Sequence, residues 1–429
     1  MLFKKIGIID ENYEYKADMF VGTEGEHITY ISSEAPEDEA RFGDTYDGKD
    51  KVLMPGFYNA HGHSPMSLMR GYGENLPLER WLYDRIFPFE DKLYGDAVYW
   101  ATLMTMAESI RFGIVSTSDM YFFIDDMVRA ISEAGTKSNV SRAITNFGAP
   151  VEESVSFKEA KDVIRSYHGT ESGRILVDAS AHAEYTNDLA MLKAIADMAK
   201  EFDVRMHIHL SETEKEHKEC IERHGRTPAE VFLDAGAFDV PATAAHCVWV
   251  TDSDLDIFKE KGVTVASNPV SNMKLASGMC KVVPMYGKGI NVAIGTDSSA
   301  SNNSLNFFEE MKIFSLTGKV TSMDAAAMKP QQVLRSASRA GALSQGRDDC
   351  GLIKEGFKAD IIAVDVSGPN MCPADDMPND LIFSADGKDV CLTMVDGKVL
   401  YKDGEYTTID IEKTRVETNR AKQKILSSL

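Results

Sequence analysis

The sequence predicts an α/β protein: a (β/α)8 TIM barrel carrying a small β-sandwich domain built from both chain termini. Three observations predict it. An apolar run at 52–57 (Val-Leu-Met-Pro-Gly-Phe) is followed closely by His61-Gly62-His63. Three later apolar runs have the same form and lead into His209 (with Glu212 three residues on), His246 and Asp297. Both ends of the chain read as short strands with acidic turns, while the middle alternates strand-like and helix-like patterns.

The spacing joins the first two observations. Residues i and i+2 of a strand share a face, so His61 and His63 offer two imidazoles to one point in space. His209 follows His63 by 146 residues, His246 follows His209 by 37, and Asp297 follows His246 by 51. A βα unit takes roughly 30 residues or more. The two short gaps therefore fit one unit or slightly more, and the long gap fits about four. Ligand-type residues at strand C-termini, spaced by whole units, are what a (β/α)8 active site requires.

In chain order, residues 1–55 form the first part of the small β domain, with strands expected at 5–9, 19–21, 27–31 and 51–54. Residues 56–350 form the barrel. Besides the four ligand-bearing segments, strands are expected at 114–118, 140–146, 175–181 and 263–268, with helices such as 188–202 and 228–235 between them. Residues 351–429 complete the β domain. Strands at 360–366 and 390–395 precede an Asp396-Gly397 hairpin turn into 398–401.

With 429 residues and 43% hydrophobic content, the chain can bury a large core. A formal net charge of −21 excludes a phosphate-backbone partner, which needs clustered Lys and Arg, but leaves a neutral nucleoside possible. The six cysteines show no CxxC spacing, which fits a reducing compartment. The first apolar residues meet Asp10, Glu11 and Glu14 without an h-region, and no apolar run reaches the roughly 18 residues of a membrane span. A cytoplasmic protein is the expectation.

The segments Pro55-Gly56-Phe57-Tyr58-Asn59-Ala60-His61-Gly62-His63-Ser64-Pro65-Met66, His209-Leu210-Ser211-Glu212-Thr213, Ala245-His246-Cys247, 267–275 and 295–303 occur in this order. Together they resemble the amidohydrolase superfamily, in its 5′-methylthioadenosine/S-adenosylhomocysteine deaminase and triazine chlorohydrolase branch. The likeness runs over essentially the whole chain. One departure is Gly62, where Thr is usual. The resemblance implies a single divalent metal, zinc or alternatively iron(II), held by His61, His63, His209 and Asp297. These are the four that strand spacing selects. No lysine near 179–183 could bridge a second metal; His182 is there instead.

Each candidate also has a commonplace role. A strand-end Asp297 could cap a helix. Beside a metal it would ligate and take a proton from water. Glu212 could belong to a capping box. Beside a metal it would move a proton to a ring nitrogen and then to the leaving group. His246 would hydrogen-bond the attacking water, or be a core histidine. The resemblance further implies that Glu90 grips ribose hydroxyls and that Arg142 and His182 contact substrate; a plain helix-start glutamate is the alternative for Glu90. His207 shares a face with His209 but lies deeper, as a hydrogen-bonded core histidine. His27, His168, His217 and His224 are expected on the surface. The expected reaction is hydrolytic deamination of an adenosine-type nucleoside, carried out by a homo-oligomer (dimer or tetramer). The alternative is a deaminase or chlorohydrolase of another N-heteroaromatic ring, such as guanine or a triazine. A metal-free assembly protein on the same fold would have lost these residues.

Overall fold

Gly56 marks the point where the chain leaves one sheet for another. Lys51–Pro55 pairs antiparallel with Ile361–Asp365 and parallel with Leu2–Ile9. Phe57–Gly62 pairs parallel with Ile114–Tyr121. The apolar run at 52–57 is therefore not one strand leading to the histidines; only Phe57 belongs to the strand that carries His61. Both strands are buried almost throughout, so apolar continuity hides the break. A Cβ on Gly56 would stand 2.4 Å from Val115 Cγ1, which makes glycine necessary at the crossing. The computed structural model describes residues 1–146 and 148–429, leaving out the side chain of Leu78.

Strands from both ends of the chain form one nine-stranded sheet. Leu2–Ile9, Tyr15–Glu24, His27–Ser32, Thr45–Asp47 and Lys51–Pro55 come from one end. Ile361–Asp365, Val390–Val395, Lys398–Lys402 and Glu405–Tyr406 come from the other. All nine share a single hydrogen-bonded network, where the sequence suggested two layers. Asp396 and Gly397 are both left-handed, as a tight hairpin turn requires.

The middle of the chain forms two parallel sheets. Phe57–Gly62, Ile114–Tyr121, Lys137–Arg142 and Ile175–Val177 make one; Ala179–Ala181, Met206–Leu210, Ala242–His246, Thr264–Ser267 and Val292–Ile294 make the other. Only Asp178 separates Ile175–Val177 from Ala179–Ala181. Single bridges join the sheets at both edges, Gly62 to Asp297 and Ile144 to Ala181. Helices alternate with these strands, among them Gly95–Arg111, Ile124–Ala134, Val155–Tyr167, Leu189–Phe202, Glu214–His224 and Phe307–Ser322. The C-terminal helix Ile411–Leu426 lies against Gly95–Arg111, where Thr418 Oγ1 donates to Trp100 O at 3.0 Å. No helix among the described residues is long and apolar enough to cross a membrane.

The strand expected at 140–146 runs instead from Lys137 to Arg142. Its polar start reads as a turn, yet each residue is buried with a partner. Ser138 Oγ donates to Thr117 O at 2.7 Å, and Asn139 Nδ2 to Asp178 Oδ1 at 2.9 Å. Lys137 Nζ meets Asp360 and lies 2.6 Å from Asp396 Oδ1. Tyr58 OH also donates to Asp360. This cluster bolts a strand of the parallel sheets to the terminal sheet. Burial works against the Lys137 charge, but Asp360 outweighs it and pushes the amine up to about 12. Burial likewise works against the Asp360 charge, and Lys137 holds that carboxyl below its ordinary range.

Removing one member of a buried ion cluster leaves the rest uncompensated. Lys137→Met is expected to destabilise the fold by about 3–5 kcal/mol, read as a lower urea midpoint with an unchanged slope. A midpoint equal to wild type would show that the cluster contributes nothing.

Candidate metal and active site

The C-terminal ends of the parallel strands bring four histidines and one aspartate to one place. One ligand-type atom each from His61, His63 and Asp297 lies within 4.8 Å of the others, and so do those of His61, His209 and His246. His63 Nε2 is 3.2 Å from Asp297 Oδ1 and 3.4 Å from His209 Nε2. His61 Nε2 is 3.7 Å from Asp297 Oδ1. Burial pushes His61 and His209 well below the usual imidazole range, and the surrounding rings add to the effect. Neutral imidazole is the ligating form.

The outward nitrogens are all engaged. His63 Nδ1 donates to Met120 O at 2.6 Å, and His209 Nδ1 to His182 O at 2.7 Å. His61 Nδ1 lies 2.9 Å from His207 Nε2. A proton on each Nδ1 leaves each Nε2 lone pair facing inward. His61 Nε2 is completely buried and, among the described residues, has no hydrogen-bond partner. A buried lone pair without a partner is unfavourable, and a cation at this point removes the problem. The residues present thus fit a divalent ion. His207 is buried and hydrogen-bonded, as expected of it, and its bond is to a member of the site.

Asp297 does not cap a helix. Its Oδ2 accepts from Ser271 Oγ at 2.6 Å and Ser301 Oγ at 2.9 Å, leaving Oδ1 toward the histidines. Burial pushes its carboxyl up, but His63 and the serine bond outweigh burial and hold it well below the carboxylate range. Glu212 does not cap either. Thr213 Oγ1 accepts from Glu216 N at 3.1 Å, and the Glu216 carboxylate accepts from the Ser211 and Glu212 amides, both at 2.8 Å. Glu212 is left facing the site, with Oε2 3.9 Å from His246 Nε2 and Oε1 accepting from Ser277 Oγ at 3.2 Å. Burial pushes Glu212 up. Burial and then the Glu212 charge push Glu216 up to about 7. His246 Nδ1 sits 2.8 Å from Asn272 Oδ1 and 3.2 Å from Asn268 Nδ2.

Ser211, His246 and Asp297 all have left-handed backbone, with φ of 48°, 73° and 57°. Such conformations are costly for side-chain-bearing residues and gather at functional sites. Here they turn the chain as each strand ends, aiming side chains at the centre.

The remaining candidates flank this centre. Glu90 is pushed up to about 7 by burial and accepts from Tyr121 OH at 2.6 Å. The His182 ring lies 4.8 Å from that of His209. Arg142 stands at its strand end but is already paired, donating from Nε to Glu159 Oε2 at 2.7 Å. His217, expected on the surface, is buried with Nδ1 3.1 Å from Ser211 Oγ; the polar pattern of its helix concealed this. Sequence reasoning gave no role to Tyr121, Ser271, Ser277, Ser301, Asn268 or Asn272. All but Tyr121 lie within or next to the quoted segments 267–275 and 295–303; nothing in the sequence marked Tyr121.

Residues 52–400 match the family described as the amidohydrolase family. The chain belongs to the amidohydrolase family. As a member it is a hydrolase, and the family is metal-dependent. A 5-methylthioadenosine/S-adenosylhomocysteine deaminase of Caldanaerobacter subterraneus is 37% identical over 428 residues, which cover 99% of this chain and 98% of the relative. A 5′-deoxyadenosine deaminase of Methanosarcina mazei is 38% identical over 381 residues, covering 89% of this chain and 88% of that one. An adenosine deaminase from Xanthomonas campestris, solved with bound zinc, is 28% identical with a TM-score of 0.93, covering 99% and 98%. Zinc-bound atrazine chlorohydrolase of Arthrobacter aurescens, 21% identical with a TM-score of 0.91, covers 98% and 99% and shares the fold.

Among the candidate ligand histidines His61, His63 and His209, only His61 has its outward nitrogen against another side chain among the described residues. His207→Phe is expected to weaken zinc binding about 10–100-fold, measured by chelator competition, while His207→Gln keeps part of it. Equal zinc affinity in wild type and His207→Phe would remove His207 from this role.

Proposed function

We propose that this amidohydrolase is a hydrolytic deaminase of an adenosine-type nucleoside, releasing ammonia and the inosine analogue. The observation that carries the reading is the pair of carboxylates, Asp297 buried and Glu212 partly buried, facing one point beside the histidines. Three relatives support it through their names: deaminases of 5-methylthioadenosine/S-adenosylhomocysteine, of 5′-deoxyadenosine and of adenosine. The metal we infer is one zinc ion on His61, His63, His209 and Asp297, on the chemistry of the donor set. The two edge bridges support a closed eight-stranded barrel around it.

A divalent ion bound here lowers the pKa of water toward neutrality. Asp297 Oδ1 takes a proton from the attacking water, while Ser271 and Ser301 hold its other oxygen. His246 Nε2, oriented through Asn272, hydrogen-bonds the attacking oxygen. The new C6–O bond forms as Glu212 delivers a proton to ring nitrogen N1. Glu212, now a carboxylate, takes the proton of the new C6 hydroxyl as the C6=O bond forms and carries it to the exocyclic amine, so the C6–N bond breaks and ammonia leaves; the proton held by Asp297 then returns to Glu212. Burial pushes the Glu212 carboxyl above its ordinary range, which favours its carrying a proton. Glu90, fixed by Tyr121, accepts from both ribose hydroxyls.

Glu212→Gln is expected to keep metal and fold but lose about 10²–10⁴-fold in kcat, with bound zinc measured on the same preparation. Full activity in this variant would exclude Glu212 from proton transfer. Across adenosine, 5′-methylthioadenosine, 5′-deoxyadenosine, adenine, guanine and melamine, ammonia release is expected to favour the nucleosides, with Glu90→Ala narrowing the gap to adenine. A preference for a free base or a triazine would refute the nucleoside reading.

A further inference from the structure

Tyr121 and Arg142 are opposite each other in parallel register. Tyr121 carries Glu90, so Arg142 stands beside the place assigned to the ribose. Its surroundings leave it little charge to offer. Nε donates to Glu159 Oε2 at 2.7 Å, Nη1 donates to Ala143 O, and the guanidinium lies over the Phe122 ring at 4.9 Å from the centroid. The arginine side chain is 16% exposed and the glutamate 49%, so the pair sits at the rim with the cation inside. Glu159 comes from the helix Val155–Tyr167, which packs on this strand. Between Arg142 and Lys158 the chain has no Lys or Arg, and it adds Glu152 and Glu153, both exposed.

We propose that Glu159 is a specificity-determining residue: by neutralising Arg142 it selects nucleosides with a small uncharged 5′ group over those with an amino-acid carboxylate. The inference rests on the nucleoside reading above. A carboxylate at the end of a 5′ arm must leave water to enter a rim whose cation, Arg142, already has a carboxylate partner. That loss is uncompensated, and Glu152 and Glu153 add repulsion. A methylthio group or a hydrogen at the same position meets the Phe122 ring and the aliphatic part of Arg142 at no such cost. Glu159 touches no reacting atom and acts through Arg142.

The test compares kcat/KM for 5′-methylthioadenosine and S-adenosylhomocysteine in the zinc-loaded wild type, Glu159→Gln, and the double variant Glu159→Gln with Arg142→Met. The wild type is expected to favour 5′-methylthioadenosine. Glu159→Gln is expected to raise kcat/KM for S-adenosylhomocysteine about fivefold to tenfold, mainly through KM, with 5′-methylthioadenosine little changed. The double variant is expected to lose that gain. An unchanged substrate ratio in Glu159→Gln, or a gain that survives in the double variant, overturns the inference while leaving the deaminase reading intact. No deamination by the wild type of these two nucleosides, nor of adenosine or 5′-deoxyadenosine, overturns both.

Discussion

Crowding imidazoles and carboxylates into one buried place is unfavourable unless every polar atom has a use. The rest of this structure is arranged around that constraint. Outward-facing nitrogens are tied to the scaffold by the carbonyls of Met120 and His182 and by the ring of His207. Inward-facing nitrogens are left with lone pairs, and His61 Nε2 has nothing else to bond. The arrangement is stable as a cation site and poor as anything else. Parallel strands make it possible because they end side by side, so residues far apart in the chain arrive on one rim.

The carboxylates divide the labour through their partners. Two serines claim one oxygen of Asp297, and Ser277 claims one oxygen of Glu212. In each case the other oxygen is turned to the centre. Thr213 and Glu216 take over the capping of the helix after Glu212, which frees a residue that would otherwise serve the backbone. Left-handed backbone at Ser211, His246 and Asp297 completes the aim. Strain of this kind persists only where surrounding bonds over-determine it, and here the bonds are the ones that also position the reacting groups.

The same economy governs charge away from the centre. Lys137 is buried only because Asp360 and Asp396 meet it, and the cluster couples the terminal sheet to the parallel sheets. Arg142 at the substrate rim is answered by Glu159. The first pairing is sealed inside and serves stability. The second is half in solvent, where a pair contributes little to stability, and its consequence falls on which substrate charge the rim can accept.

Much of this was legible in the sequence. Residue types at strand ends, spaced by whole βα units, picked out His61, His63, His209 and Asp297 as candidate ligands, which the fold brings together, and the order of the motifs pointed to deamination. Periodicity also placed His207 one step deeper than His209. It could not reveal that Gly56 splits one apolar run between two sheets, because both strands are buried and equally apolar. Nor could it show that Lys137 starts a strand, that His217 lies inside, or that Glu159 occupies Arg142. Each of these depends on a partner brought close only by folding, and local pattern carries no record of a distant partner. The sequence by itself determined the candidate donor set and the chemistry open to it. The tertiary structure decided which lone pairs face inward and which charges are already spoken for, because hydrogen-bond geometry and burial exist only once the strands are side by side.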